Sequence, residues 1–370
     1  MSKRVTAGAR GKQKHHRLTT RRSIQIAAAV SGALSLLAAW TILAYSGAID
    51  PIVRQKREQG NAVPIASFNS NSPSKEYIYA ANRLVATEEQ GGGPSARKTP
   101  FDFDGDHKTD LSVFHPATGT WHISKSSDGM PQSIGWGLNG DVIVPGDYDG
   151  DGKSDVAVWR PSTGVWFIIN SSNGSTSETG WGLNGDVAMP GDYDGDNKTD
   201  VAVWRPSTGV WFIINSSNGS IRTETWGITG DKPVAADYDG DGMADIAVWR
   251  PSTGIWYIVN SSNGPALPIG WGVSSDVAVP ADYDGDGKTD VAVWRPNSGT
   301  WFILKSSDGS QMTAGWGLNT DIPVPGDYDG DGDADIVVWR PSTGYWLNIN
   351  NSTTLWGLNG DIPVPSAYNR

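Results

Sequence analysis

Asp147-Tyr-Asp-Gly-Asp-Gly-Lys-Ser-Asp155 is one of six versions of a nine-residue segment whose first aspartate falls at positions 102, 147, 192, 237, 282 and 327. The interval is 45 residues every time. A period of that length is typical of a β-propeller blade. Four carboxylates at positions 1, 3, 5 and 9 of one loop repel one another strongly unless a cation lies among them. The segment therefore bounds fold and chemistry together.

Reading outward from the copy at Asp192, Asp186-Val-Ala-Met-Pro-Gly-Asp192 leads into the acidic loop as a first strand. Val201-Ala-Val-Trp-Arg205 and Val210-Trp-Phe-Ile-Ile-Asn215 alternate with period two, joined by the turn Pro206-Ser-Thr-Gly209. Ser216-Ser-Asn-Gly219 makes the next turn, and a weaker outer strand runs to Trp226-Gly227. Four antiparallel strands in about 45 residues make one blade, and no apolar segment has the 3.6-residue period of a helical solenoid. Residues 98 to 101 hold only a remnant of a first strand, whereas the chain stops after Asp361-Ile-Pro-Val-Pro-Ser-Ala-Tyr368, a first strand with no acidic loop behind it. The expected fold is an all-β, six-bladed β-propeller over residues 98–370, in which the C-terminal strand completes the N-terminal blade and leaves no free sheet edge. A seventh blade would have to come from residues 62–97, which lack both the loop and the tryptophans.

Positions 1, 3, 5 and 9 of the acidic loops account for 24 of the 40 Asp and Glu residues. Position 1 is Asp102, Asp147, Asp192, Asp237, Asp282 or Asp327, and position 3 is Asp104, Asp149, Asp194, Asp239, Asp284 or Asp329. Position 5 is Asp106, Asp151, Asp196, Asp241, Asp286 or Asp331, and position 9 is Asp110, Asp155, Asp200, Asp245, Asp290 or Asp335. Position 7 varies (Lys108, Lys153, Lys198, Met243, Lys288, Asp333), as expected if it contributes only its backbone carbonyl. Glycine at position 4, with Gly, Asn or His at position 6, tolerates the positive φ needed to wrap a chain around an ion. An oxygen-only donor set points to Ca2+ at about six sites. An EF-hand is excluded, because position 12 is a strand valine such as Val158 or Val203 where that motif needs glutamate.

This loop followed by Val-Ala-Val-Trp resembles the FG-GAP or VCBS-type repeat and is similar to the calcium-loop blades of integrin α-subunit propellers. The resemblance covers about 270 residues. It implies calcium in the hairpin between the first two strands of each blade, held by the aspartates named above. Members of the family serve in adhesion, in glycan binding and as accessory parts of enzymes, so function has to be argued separately.

Ahead of the repeats, residues 1–22 form a basic leader, and residues 1 to 48 hold eight Lys or Arg and no acid. Removing those eight from the net charge of -11 leaves -19 for residues 49 to 370, a surface that repels nucleic acid. Residues 23–46 are apolar and long enough to span a bilayer, which predicts an N-in transmembrane signal anchor with the propeller outside the cytoplasm. A signal peptide cleaved near Ala48 and a twin-arginine signal at Arg21-Arg22 are the rivals, and both also place the repeats outside. Residues 47–97 read as a linker with a possible hairpin at 76–87 across Ala81-Asn82. Cysteine is absent, which excludes disulfides and thiolate chemistry.

Seventeen of the 18 tryptophans lie in the repeats. Those on strands, such as Trp159 and Trp166, are expected to pack between blades. The Trp-Gly tryptophans Trp136, Trp181, Trp226, Trp271, Trp316 and Trp356 are the candidates for contact with a ligand such as a sugar ring. Arg160, Arg205, Arg250, Arg295 and Arg340 each follow a strand tryptophan, where they are expected to stack on the indole or to pair with a loop aspartate. His115 breaks this pattern, and His122 lies in the same blade. No divergent insertion carries a catalytic set, and only the last blade is shortened, by five residues before Trp356. The expectation is a non-enzymatic adhesion or recognition propeller for an extracellular protein or glycan. Its alternatives are a structural envelope protein and an accessory domain of a polysaccharide-active system.

Overall fold

The structure is a computed structural model that describes residues 76–80, 83–88 and 99–366. The basic leader, the apolar run 23–46 and most of the linker lie outside the described residues. Among the described residues no helix is long and apolar enough to cross a membrane. The chain divides into two units, Met1–Gly91 and Gly92–Arg370. In the first, Glu76–Ala80 and Arg83–Glu88 pair antiparallel with Ala80 opposite Arg83.

The second unit consists of six antiparallel sheets, each with the strand order first, second, third, outer. In blade 2 these strands are Val142–Ile143, Val156–Arg160, Val165–Ile169 and Thr176–Gly180. The second strand is buried on both faces up to Arg160, because each blade is sandwiched between two others. The third strand alternates, with Trp166 and Ile168 buried between half-buried neighbours. Trp159 and Trp166 face each other in register with ring centroids 6.2 Å apart. Both join a core cluster that includes Val203 of the next blade, so the strand tryptophans pack between blades as expected. Blade 4 departs slightly, because its outer strand is split into Gly264–Pro265 and Ile269–Gly270. Pro265 and Pro268 have no N–H to give to the ladder there.

Closure follows the two complementary chain ends. Ile362–Pro363 pairs with Leu111–His115, placing Ile362 opposite Phe114 and Pro363 opposite Val113, and so supplies the first strand of blade 1. Just beyond, Val364 is fully buried among Phe101, Phe103, Phe114 and Trp121. Six blades result, the last using a three-residue outer strand, Thr353–Leu355.

Candidate metal centres and the seams between blades

Each acidic loop turns between the first and second strands, and backbone glycine makes the turn possible. Gly150 and Gly152 have φ of 82° and 87°, and Asn197 and His107 take the same left-handed conformation at position 6, with φ of 64° and 67°. The position-1 carboxylate organises the loop. Asp147 Oδ1 accepts from the amides of Gly150 (2.7 Å) and Asp151 (3.2 Å), and its Oδ2 accepts from Gly152 (3.1 Å). Asp155 at position 9 is fully buried, with Oδ2 accepting from the Tyr148 amide at 2.8 Å. The Tyr148 hydroxyl in turn donates to the Val144 carbonyl at 2.7 Å, which fastens the loop to the first strand.

Carboxylate oxygens from positions 1, 3 and 9 lie within 4.8 Å of one another in the first five loops, among them Asp102–Asp104–Asp110, Asp147–Asp149–Asp155 and Asp192–Asp194–Asp200. Position 5 stands beside these groups. Asp151 Oδ1 accepts from the Lys153 amide and from the Ser171 hydroxyl, both at 2.9 Å. The Oδ1 atoms of Asp104, Asp194 and Asp284, all at position 3, are buried and have no hydrogen-bond donor. Leaving such an oxygen unsatisfied costs about 1–3 kcal/mol. A cation among the three carboxylates removes that cost, so the donor set of these loops fits a hard divalent ion.

Burial pushes the carboxyls of Asp110, Asp155, Asp200 and Asp245 up to about 6 from an ordinary 3.8, against the opposing hydrogen bonds they accept. Burial likewise raises Asp290 and Asp335. In the ion-free fold these groups bind more protons than the unfolded chain does between about pH 4 and 6, so ion-free stability rises as pH falls through 6. Asp110, Asp155, Asp200 and Asp245 each contribute up to about 3 kcal/mol. Melts of the full-length chain in chelator are thus expected to show a higher Tm at pH 5 than at pH 7.5, and excess Ca2+ to abolish or reverse the order. A chelated melt that is highest at pH 7.5 would remove the argument.

Two features of the loops were not legible in the motif itself. The Ser-Ser pair in the turn after the third strand reaches back to the loop: Ser171 N donates to Asp155 Oδ1 at 2.6 Å, and Ser172 Oγ to Asp149 Oδ2 at 2.6 Å. The pairs Ser126-Ser127, Ser216-Ser217, Ser261-Ser262 and Ser306-Ser307 do the same in their own blades. Their constant offset from position 1 was the available signal. Blade 6 lacks the pair and uses Asn350 Nδ2 on Asp335 Oδ1 at 3.3 Å.

The loops are also linked to one another. Each position-8 amide donates to the position-1 carbonyl of the preceding blade, from Ser154 to Asp102 (2.6 Å) and Thr199 to Asp147 (2.7 Å) onward, until Thr109 donates to Asp327 (2.6 Å) and closes the circle. The position-7 side chain follows the same direction: Lys153 lies over Gly105, Lys198 over Gly150, and Lys108 over Gly330, with its Nζ donating to the Asp329 carbonyl at 2.6 Å.

At the opposite end of the second strand, each Trp-Gly corner meets the next blade. Trp181 is half-buried, its Nε1 donates to the Phe212 carbonyl of blade 3 at 3.0 Å, and its own carbonyl accepts from both Trp159 and Trp166. Trp136, Trp226, Trp271, Trp316 and Trp356 make the same bond to the third strand of the following blade. The arginines behave differently from expectation. Arg160 pairs in bidentate fashion with Asp141, the residue before the first strand of its own blade, at 2.8 and 2.9 Å, and its Cζ lies 4.5 Å over the Phe167 ring. Neither an indole nor a loop aspartate is its partner. The loop carboxylates face the other end of the blade, while Asp141 lies beside the turn that follows Arg160.

The FG-GAP-like repeat family matches residues 192–248, 237–293 and 282–338. The six-bladed β-propeller thus carries FG-GAP-like repeats over residues 192–338. Among curated proteins none matches the chain. Solved structures similar to the FG-GAP propeller include BBS1N in complex with ARL6DN, at 14% identity and a TM-score of 0.44 over 70% of this chain and 80% of that one. Another is an Agrocybe aegerita lectin that recognises non-reducing terminal N-acetylglucosamine, at 17% identity and TM-score 0.43 over 69% and 88% of the two chains. A third is virginiamycin B lyase from Staphylococcus aureus, at 11% identity and TM-score 0.41 over 70% and 85%. Their bound molecules and reactions are their own.

Proposed function

We propose that this FG-GAP propeller is a calcium-stabilised recognition module that acts by binding, displayed outside the cytoplasm through the segment 23–46. In each blade the position-1, position-3 and position-9 carboxylates would hold the ion, with position 5 and the position-7 carbonyl completing an all-oxygen shell. The buried, donor-free oxygens of Asp104, Asp194 and Asp284 support this assignment. A bound ion neutralises the clustered charge and rigidifies the loop face. The eight basic residues ahead of an uncharged apolar run support the N-in topology.

The observation that carries the recognition reading lies on the face opposite the loops. The residue after each Trp-Gly corner is an exposed aliphatic: Leu138, Leu183, Ile228, Val273, Leu318 and Leu358, between 47% and 70% exposed. The repeat places all six on one face as a ring. Apolar side chains repeated in that way mark a surface that a partner covers, and they favour a protein partner over a sugar. With the calcium-loaded full-length chain, a glycan array is expected to stay blank, and binding to immobilised extracellular protein to be lost in the double variant L183E/L318E. Calcium-dependent sugar binding that survives in that variant would overturn the protein assignment.

A further inference from the structure

The seam between blades 6 and 1 breaks the symmetry of the ring at one chemical position. In the other five blades an arginine places Nε and Nη2 on the two oxygens of a buried aspartate, as Arg205 does on Asp186 at 2.8 and 2.9 Å. In four of them the guanidinium also stacks on a ring, with Arg205 Cζ 4.4 Å over Phe212. Blade 1 has His115 for the arginine and His122 for the ring. His115 Nδ1 lies 2.5 Å from Asp361 Oδ1, in the place Nε takes elsewhere. Asp361 Oδ2 keeps the amide it accepts in every blade, here from Leu358 at 2.8 Å, but the second donor that Nη2 provides elsewhere is missing.

Both replacements are shorter than the residues they stand for. A wide-mouthed recess of about 530 Å3 lies beside them at this seam, bordered by His115, His122, Trp356, Leu358, Thr118 and Asp361. Its exposed wall is almost entirely carbon, while the carboxylate at its base is 2% exposed. A histidine carries no permanent charge, so among the described residues this is the one seam where the buried aspartate ahead of the first strand has no arginine beside it. A carbon-walled recess over an acceptor with an open hydrogen-bonding position is complementary to a planar cation on an aliphatic stem.

We propose that the blade 6–blade 1 seam is a binding site for an arginine side chain of a partner protein. The incoming guanidinium donates to Asp361 Oδ2 where Nη2 sits in the other blades, lies over the His122 ring, and rests its methylenes against Trp356 and Leu358. His115 remains on Oδ1. Leu358 belongs to the exposed aliphatic ring, so the inference deepens the recognition reading by naming the group a partner inserts.

The test uses Nα-acetyl-arginine amide and its neutral isostere Nα-acetyl-citrulline amide, titrated into the calcium-loaded full-length chain. The arginine compound is expected to bind with a Kd of about 1 mM or tighter, to shift the His115 and His122 ring resonances, and to exceed the citrulline compound at least tenfold. The double variant H115R/H122F copies the other blades, so it is expected to fold, to gain in Tm and to lose arginine binding. Equal binding of both compounds, undiminished binding by a folded double variant, or no histidine shift with the parent protein would each overturn the site. Arginine binding that persists in L183E/L318E while partner binding is lost would separate this inference from the reading it rests on.

Discussion

Chelation of divalent cations is expected to lower the Tm of the full-length chain by roughly 15 °C or more at neutral pH. A ligand present at ten times its dissociation constant stabilises the fold by about 1.4 kcal/mol per site, or about 8 kcal/mol for six sites. For a propeller of this size each kcal/mol moves Tm by about 2–4 °C. The structure adds a reason for cooperativity. Each loop receives an amide from the next at its position-1 residue, so loosening one loop disturbs the donor set of its neighbour. The loss should therefore appear as one transition, restored by Ca2+. A chelated protein that melts where the calcium-loaded one does would refute the role of the loops as ion-held rivets.

Truncation of residues 361–370 is the second large effect. It removes the strand Ile362–Pro363 from blade 1, the buried Val364 from its core, and Asp361 from His115. Losing a buried aliphatic residue and its strand costs about 5 kcal/mol or more. It also exposes Val113 and Phe114 along a free edge, which templates association. The truncated chain is expected to melt at least 10 °C lower and to elute as oligomers in size-exclusion chromatography with light scattering. A monomeric product as stable as the parent would mean that the ring does not depend on this strand.

Much of this protein is local and repeats, and for that reason the chain could be read directly. The 45-residue interval, the period-two strands around Trp204 and Trp211, and the complementary ends at 98–101 and 361–368 each depend on residues close in sequence or on plain counting. The loops were legible for the same reason: nine residues supply the position-1 cap, the positive-φ glycines and the carboxylates that gather at positions 1, 3 and 9.

What the chain alone left undecided is set between blades. Ser171 and Ser172 look like turn residues until the turn is folded back over the loop. Lys153 looks like a spacer until it is seen lying across Gly105 of the preceding blade. Arg160 could have stacked on an indole, and only the packing of Asp141 beside the second turn decided for the carboxylate and Phe167. The same holds at His115 and His122, where the sequence by itself showed a departure from the repeat. Its consequence, a carbon-walled recess over a half-satisfied carboxylate, needs residues 361–366 to come back beside the first blade. The sequence by itself determined the repeat, the blade and the clustering of carboxylates in each loop, because those interactions lie within one 45-residue unit. Only the tertiary structure decided how the units join and where the join is imperfect, because contacts between blades link residues whose separation no local pattern records.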